Sequence, residues 1–305
     1  MKKRIAGFSI VIVALLIAPW ALASEQGHFE KTFQVSGAAD LQVFTHSGDI
    51  TIRGGSAGTI KVIGRIHVGD RWFNGSRKSE VEEIEKNPPL QQSGNSIRID
   101  YVNYHDISVD YEITAPADTR VRAKSGSGDQ TVEGMQAGLD AETGSGDVKL
   151  DNLSGDIRIH TGSGNMQARG VAGKFEARAG SGDITLEEKA KGDVRLDTGS
   201  GNIEARGVDG GVFASTGSGN VRLDGVPSSN WEVKTGSGNA ELRLPQQASF
   251  DLDVSTSSGN LTVDHPVTTT VQGRVEDVHK SIRGKVRGGG PEVSVRTGSG
   301  DVRVD

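Results

Sequence analysis

The residues that could do chemistry in this sequence are mostly small and oxygen-bearing. Gly54-Gly55-Ser56-Ala57-Gly58 has the Gly-x-Ser-x-Gly spacing of a nucleophile elbow. An elbow needs a helix directly after the serine. Thr59-Ile60-Lys61-Val62-Ile63 follows instead and reads as a strand, so no serine nucleophile is expected. From Gly126 onward, Gly-Ser-Gly-Asp/Asn tetrapeptides place Asp129 and Asp147 in equivalent positions and invite a calcium reading. Calcium-binding nonapeptides set a residue between the last glycine and the aspartate. Here Asp follows Gly directly, and Asn165, Asn202, Asn220, Asn239 and Asn260 stand in the same place. A hard cation wants several oxygen ligands, so the tetrapeptide reads as a turn, with at most one weak ion beside Asp129 and Asp147.

The other candidates are thinner. His105-Asp106 lies near Tyr101, Tyr104 and Tyr111, but no pair among the seven histidines has zinc spacing. Gly173-Lys174 and Gly284-Lys285 are followed by Phe175 and Val286, not by the Ser or Thr of a phosphate loop. Lys280, Arg283, Lys285 and Arg287 form a basic cluster, which reads as a solvated loop. No catalytic residue, metal or cofactor is expected.

The elements that would position these residues are set by a repeat. The second glycines of the tetrapeptides are Gly128, Gly146, Gly164, Gly182, Gly201, Gly219 and Gly238, spaced by 18 or 19 residues. Further copies stand at Ser257-Ser258-Gly259-Asn260 and Gly298 to Asp301, and single ones at Ser47-Gly48-Asp49 and Ser93-Gly94-Asn95. A degenerate half-step lies between full copies, as at Ser154-Gly155-Asp156 and Lys191-Gly192-Asp193. Each half carries an apolar–polar–apolar triplet, such as Ile184/Leu186 and Val194/Leu196, which is the period of a strand with one buried face. Strands this short hold only when stacked on neighbours. The fold expected is therefore all-β: a parallel β-solenoid of about 18–19 residues and two short strands per turn.

Parallel stacking puts like positions on one another, and the charges fit it. One column reads Glu133, Asp151, Arg169, Glu187, Arg206, Asp224, Arg243; others read Arg158, Glu176, Arg195 and Glu204, Arg222, Glu241. Opposite charges on adjacent strands each help by a few tenths of a kcal/mol, roughly. An apolar column is expected to run Met135, Leu153, Val171, Ala190, Val208, Val226. A hydroxyl ladder runs through Thr143, Ser145, Thr161, Ser163, Thr198, Ser200, Thr216, Ser218, Thr235 and Ser237. Such a ladder could bind an ordered surface such as a glycan or ice, but turn hydrogen bonding is the favoured account, because these hydroxyls readily bond local backbone.

The chain begins with Lys2, Lys3 and Arg4, then an apolar run from Ile5 to Ile17, then Ala21-Leu22-Ala23. That is the pattern of a secretory signal peptide cleaved after Ala23, and it predicts export to the periplasm, cell surface or medium. No second apolar run of spanning length follows, so no transmembrane span is expected in the mature chain. The leader takes three of the 34 cations and none of the 40 acids, leaving a mature net charge of −9. This disfavours nucleic acid as a partner, because phosphate binding wants a basic surface. There is no cysteine, so neither a disulfide nor a lipoprotein anchor is expected. The division expected is a leader over 1–23, irregular N-terminal coils over 24–123 with a short helical insertion near 76–86, regular coils over 124–264, and C-terminal coils and cap over 265–305.

A leader, an N-terminal strand region and then copies such as Thr143-Gly144-Ser145-Gly146-Asp147 and Thr216-Gly217-Ser218-Gly219-Asn220 resemble the bacterial adhesin-like β-strand repeat family of DUF4097 type. Ile113-Thr114-Ala115-Pro116 and the final Thr297-Gly298-Ser299-Gly300-Asp301 add to the likeness. The resemblance implies adhesion without fixing a ligand and brings no catalytic residues. The function expected is an exported, non-enzymatic adhesin-like or scaffold protein binding envelope glycan or another surface protein. The alternatives are a polysaccharide-active β-helix enzyme, which would need a walled cleft with paired carboxylates, and an envelope-stress regulatory component.

Overall fold

Leu139–Ser145 lies parallel on Ile157–Ser163, with Leu139 opposite Ile157 and Thr143 opposite Thr161. The same register carries on to Phe175–Ser181, Val194–Ser200, Val212–Ser218 and Trp231–Ser237. The alternate strands, Val148–Asp151 through Ala240–Arg243, build a second parallel sheet in the same way. The chain thus winds and does not fold back. The computed structural model describes residues 25–69, 77–269 and 280–305. Among them the two sheets hold 13 and 14 strands. The expected leader over 1–23 lies outside the described residues, as does part of the expected C-terminal coils and cap over 265–305.

Period-2 alternation decides which side chains fill the narrow space between the sheets. Val194, Leu196 and Thr198 point in, while Arg195 and Asp197 do not. Burying a Leu or Ile side chain fully contributes about 1.5–3 kcal/mol, and every regular coil repeats that gain. Among the described residues Trp231 is the largest fully buried side chain, and its indole N–H donates to the Gly210 carbonyl at 3.0 Å. That bond satisfies the one polar atom the ring takes into the core.

The apolar column departs from its expected course. Met135, Leu153, Val171 and Val208 are buried as expected. Ala190 lies opposite Ala172 and is exposed, and the residue opposite Val171 is Glu188. Bulges at Gly170 and Lys189 break the register there. Val226 is 46% exposed, because Val208 faces Gly225 and Asp209 faces Val226.

Both ends interleave remote segments. The coil formed by Asp40–Ser47 and Ile50–Gly55 sits between Ser96–Ile99 with Ile107–Pro116 on one side and Arg120–Ser127 with Gln130–Glu133 on the other. At the far end, Glu292–Ser299 and Val302–Val304 slot between the Trp231–Ser237/Ala240–Arg243 coil and the Phe250–Ser258/Leu261–Val263 coil. The last tetrapeptide in sequence is therefore the penultimate one in space. Antiparallel strands lie outside these coils: Glu25–Gln34 on Thr59–Val68 and Thr59–Val68 on Ile107–Pro116 at one end, Ser281–Val286 on Phe250–Ser258 at the other. Together with the helix Lys78–Lys86, whose buried Val81 comes against Gly27, they cover strand edges that would otherwise recruit other chains.

Candidate functional site

The corner where the chain passes from one sheet to the other is built by the tetrapeptide. At Gly182 the second glycine takes a left-handed conformation, with φ +138, and a Cβ there would come within 2.0 Å of the Gly164 carbonyl oxygen. Coils stack too closely for any side chain at that point.

The hydroxyl ladder divides at this corner. The threonine half turns inward. Thr143, Thr161, Thr198, Thr216 and Thr235 are buried, and each hydroxyl donates to a glycine carbonyl of the preceding coil. For Thr198 the acceptor is Gly182 at 3.0 Å, and for Thr216 it is Gly201 at 2.9 Å. These five hydroxyls are spent on the turn and do not face a partner. The reason is the strand period itself, since Thr198 shares a face with Val194 and Leu196. The serine half turns outward: Ser145, Ser163, Ser200, Ser218 and Ser237 are exposed and stacked in register. Ser181 stands between Ser163 and Ser200, and Ser47, Ser127, Ser299 and Ser258 extend the line to both ends.

Beside the serines runs a ladder of Asp and Asn. The Oδ1 of each accepts the backbone N–H of the equivalent residue one coil on: Asp110 from Asp49, Asp49 from Asp129, Asp129 from Asp147, Asp147 from Asn165. It continues through Asp183, Asn202, Asn220, Asn239 and Asp301 to Asn260. The ladder crosses both interleaved ends without a break. Asp110, Asp49, Asp129 and Asp147 thus stand in one uninterrupted acidic run. Among the described residues, no group of three or more His, Asp or Glu is arranged to hold a metal.

The outer faces are occupied by pairs along and across strands. Lys124 meets Glu142 at 2.8 Å, Arg122 meets Asp140 at 3.2 Å, and Arg195 lies 4.0 Å over the Phe213 ring. In the basic cluster, Arg283 bonds Asp253 and Arg287 donates to the Gln246 carbonyl. Near the N-terminal end, His46 stacks on Tyr101 at 4.4 Å beside an open cleft of about 740 Å³ that Tyr104 and His105 help to line. Ser56 lies in a turn between the strands Ile50–Gly55 and Thr59–Val68, with no helix behind it, so the elbow geometry is absent.

Two glutamates have displaced pKa values for opposite reasons. Arg65 holds the Glu112 carboxyl below the usual range through bonds of 2.9 and 3.0 Å. Burial pushes Glu188 up to about 8, and the carboxylates of Asp209 and Asp193 add to the effect, against the pull of the Asp209 amide. Neither Glu188 oxygen is in full hydrogen-bond geometry with a donor, the Asp209 amide included. Sequence reasoning passed over Glu188. The available signal was its even spacing with Ile184 and Leu186, which puts Glu188 on the inward face of its strand.

The family model described as Toastrack DUF4097 matches residues 35–189 and 139–305. No curated protein matches the chain. Among solved structures, a Parabacteroides distasonis protein provisionally described as lipid-binding is 12% identical at TM-score 0.47, covering 92% of this chain and 97% of that one. A provisionally assigned adhesin of Bacteroides fragilis is 12% identical at TM-score 0.40, covering 92% and 98%. A provisionally assigned cell adhesion protein of Clostridium sporogenes is 12% identical at TM-score 0.23, covering 91% and 98%. The strand pairing, not these distant likenesses, establishes the fold. No helix of the described residues is long and apolar enough to cross a membrane.

Proposed function

This chain belongs to the Toastrack DUF4097 family, and from that premise we propose that it is an exported, non-enzymatic, adhesin-like binding protein of the cell envelope whose contact surface is the serine-bearing corner. The observation that carries the reading is the exposed line of Ser127, Ser145, Ser163, Ser181, Ser200, Ser218 and Ser237 in register. Adjacent coils lie about 4.8 Å apart, so the corner offers hydroxyls at a constant step. A repeating polymer such as an envelope glycan presents its own hydroxyls at regular intervals and can bond several rungs at once. Many weak contacts on one rigid edge add up through effective concentration. The leader over 1–23 supports export.

The test is a glycan and envelope-component array probed with the mature protein, with and without calcium. The expected result is binding that Ser163→Arg and Ser200→Arg abolish while the melting temperature holds. Binding that survives both changes would move the contact surface elsewhere. Release of reducing ends from a sugar polymer, lost on changing one Asp or Glu, would replace this reading with an enzyme.

A further inference from the structure

We propose that Glu188 is a proton-operated latch: as the neutral acid it stays in the core column and keeps the corner from Glu187 to Gly192 closed, and as the carboxylate it leaves and lets that corner open. The corner in question is the one between the strands Ile184–Ala190 and Val194–Ser200, on the opposite side of the rack from the serines.

The geometry is particular to this coil. The equivalent places below and above hold Leu153, Val171 and Val208, all buried aliphatics. Glu188 is 6% exposed in the same column, and neither of its oxygens is in full hydrogen-bond geometry with a donor. From the coil below it meets Val171. From the coil above comes the segment Gly207-Val208-Asp209, with Gly207 set close over the Glu188 carbonyl. On its own turn, Oε1 lies where a side chain on Gly192 would come within 3.2 Å. The Asp209 amide favours the anion, the carboxylates of Asp209 and Asp193 oppose it, and burial outweighs the amide. Arg169 and Arg206 pair in register with Glu187, in the outward-facing column. Lys189 and Lys191 are exposed. A buried carboxylate with no cation against it is strongly disfavoured, so ionisation weakens the hold of Glu188 on the core column.

The sign follows from proton counting. Closed, the group releases its proton at about 8; open, it does so at the ordinary glutamate value of 4.5. Between those values the open form has lost a proton that the closed form keeps. Opening therefore becomes about tenfold more favourable per pH unit in that window and levels off above it. Because the latch involves one turn and not the whole rack, it reports as local opening.

Hydrogen exchange with the full chain tests this, expressed as protection relative to intrinsic exchange. The Gly192 amide donates to the Asp209 carbonyl and the Val194 amide to the Gly211 carbonyl. Their protection is expected to fall about tenfold per unit from roughly pH 5 to 8, while that of Gly201, at the other corner, stays level. In Glu188→Gln, which keeps the shape and cannot ionise, the fall is expected to vanish; in Glu188→Leu protection is expected to be higher throughout. Carboxyl carbon resonances of the unmodified protein give a second readout that needs no variant. A Glu188 titration at the ordinary glutamate value, or the same pH dependence in Glu188→Gln, would overturn the proposal.

Discussion

Asn165 donates its backbone N–H to the Oδ1 of Asp147 at 2.7 Å across 18 residues of sequence, and that bond is repeated coil after coil along one edge of the rack. Removing one acceptor leaves an amide unpaired at a corner where coils stack tightly. Asp147→Ala is expected to cost about 1 kcal/mol, the usual net value of one such bond. Asp147→Asn keeps the acceptor and removes one charge from the acidic run of Asp110, Asp49, Asp129 and Asp147. It is expected to be neutral or stabilising, most clearly at low salt, where like charges are least screened. Denaturant unfolding of the two variants, at low and high salt, separates these outcomes.

The corner glycines differ in what they tolerate, and the difference is a second prediction. Gly182 has both a left-handed φ of +138 and a neighbouring carbonyl oxygen 2.0 Å from any added Cβ. Gly37, at φ +80, has open space around it. Gly37→Ala carries only the conformational penalty, about 1–2 kcal/mol. Gly182→Ala also forces two coils apart and is expected to cost several kcal/mol, on the order of overpacking and strain combined. Melting temperatures of the two alanine variants give the comparison directly.

The winding was legible because the repeat fixes which residues become neighbours. Once Gly146 lies on Gly164, Val148 must lie on Met166, and the structure has that pair. The inward turn of Thr198 was legible too, from its even spacing with Val194 and Leu196, although its hydroxyl suggested a surface role. The interleaved ends were not legible. Every coil presents the same parallel edge, so nothing local to Glu292–Ser299 says that it pairs with Trp231–Ser237 on one side and Phe250–Ser258 on the other. Glu188 was hidden differently. The 19-residue step from Gly182 to Gly201 carries Val171 onto Ala190, whereas even spacing from Ile184 and Leu186 turns Glu188 inward.

The interleaving gives a third prediction. Among the described residues, Glu292–Ser299 is the sole parallel support of Phe250–Ser258 in its sheet, and Val302–Val304 is that of Leu261–Val263. Deleting 288–305 should leave the coil of 250–263 without its floor and the Trp231–Ser237 edge unpaired. We expect exchange protection to be lost across 250–263 but kept over 139–200, because repeat stability is carried by nearest neighbours. The unpaired edge should also drive self-association. Native-state exchange with sedimentation would show both, and full protection over 250–263 in the truncated chain would contradict the pairing.

Glu112 contributes to the acid side of the stability profile, opposite in sign to Glu188. Its folded pKa is lowered, chiefly by the Arg65 hydrogen bonds, with the Arg65 and Arg53 charges adding to them against burial. The unfolded chain therefore binds a proton before the folded one does, and the stabilisation, fully present above the unfolded value of 4.5, is lost as pH falls through the folded value. Because the pair is more than one-third exposed, solvent screens it and the effect is small. Glu112→Gln keeps the shape but not the charge, so its melting temperature should fall less steeply than that of the unmodified protein between about pH 5 and pH 2. Raising salt should narrow the gap between the two curves. Parallel curves over the whole acid range would mean that the bond to Arg65 is equally strong in the unfolded chain or contributes nothing, and either result would remove Glu112 from the acid limb.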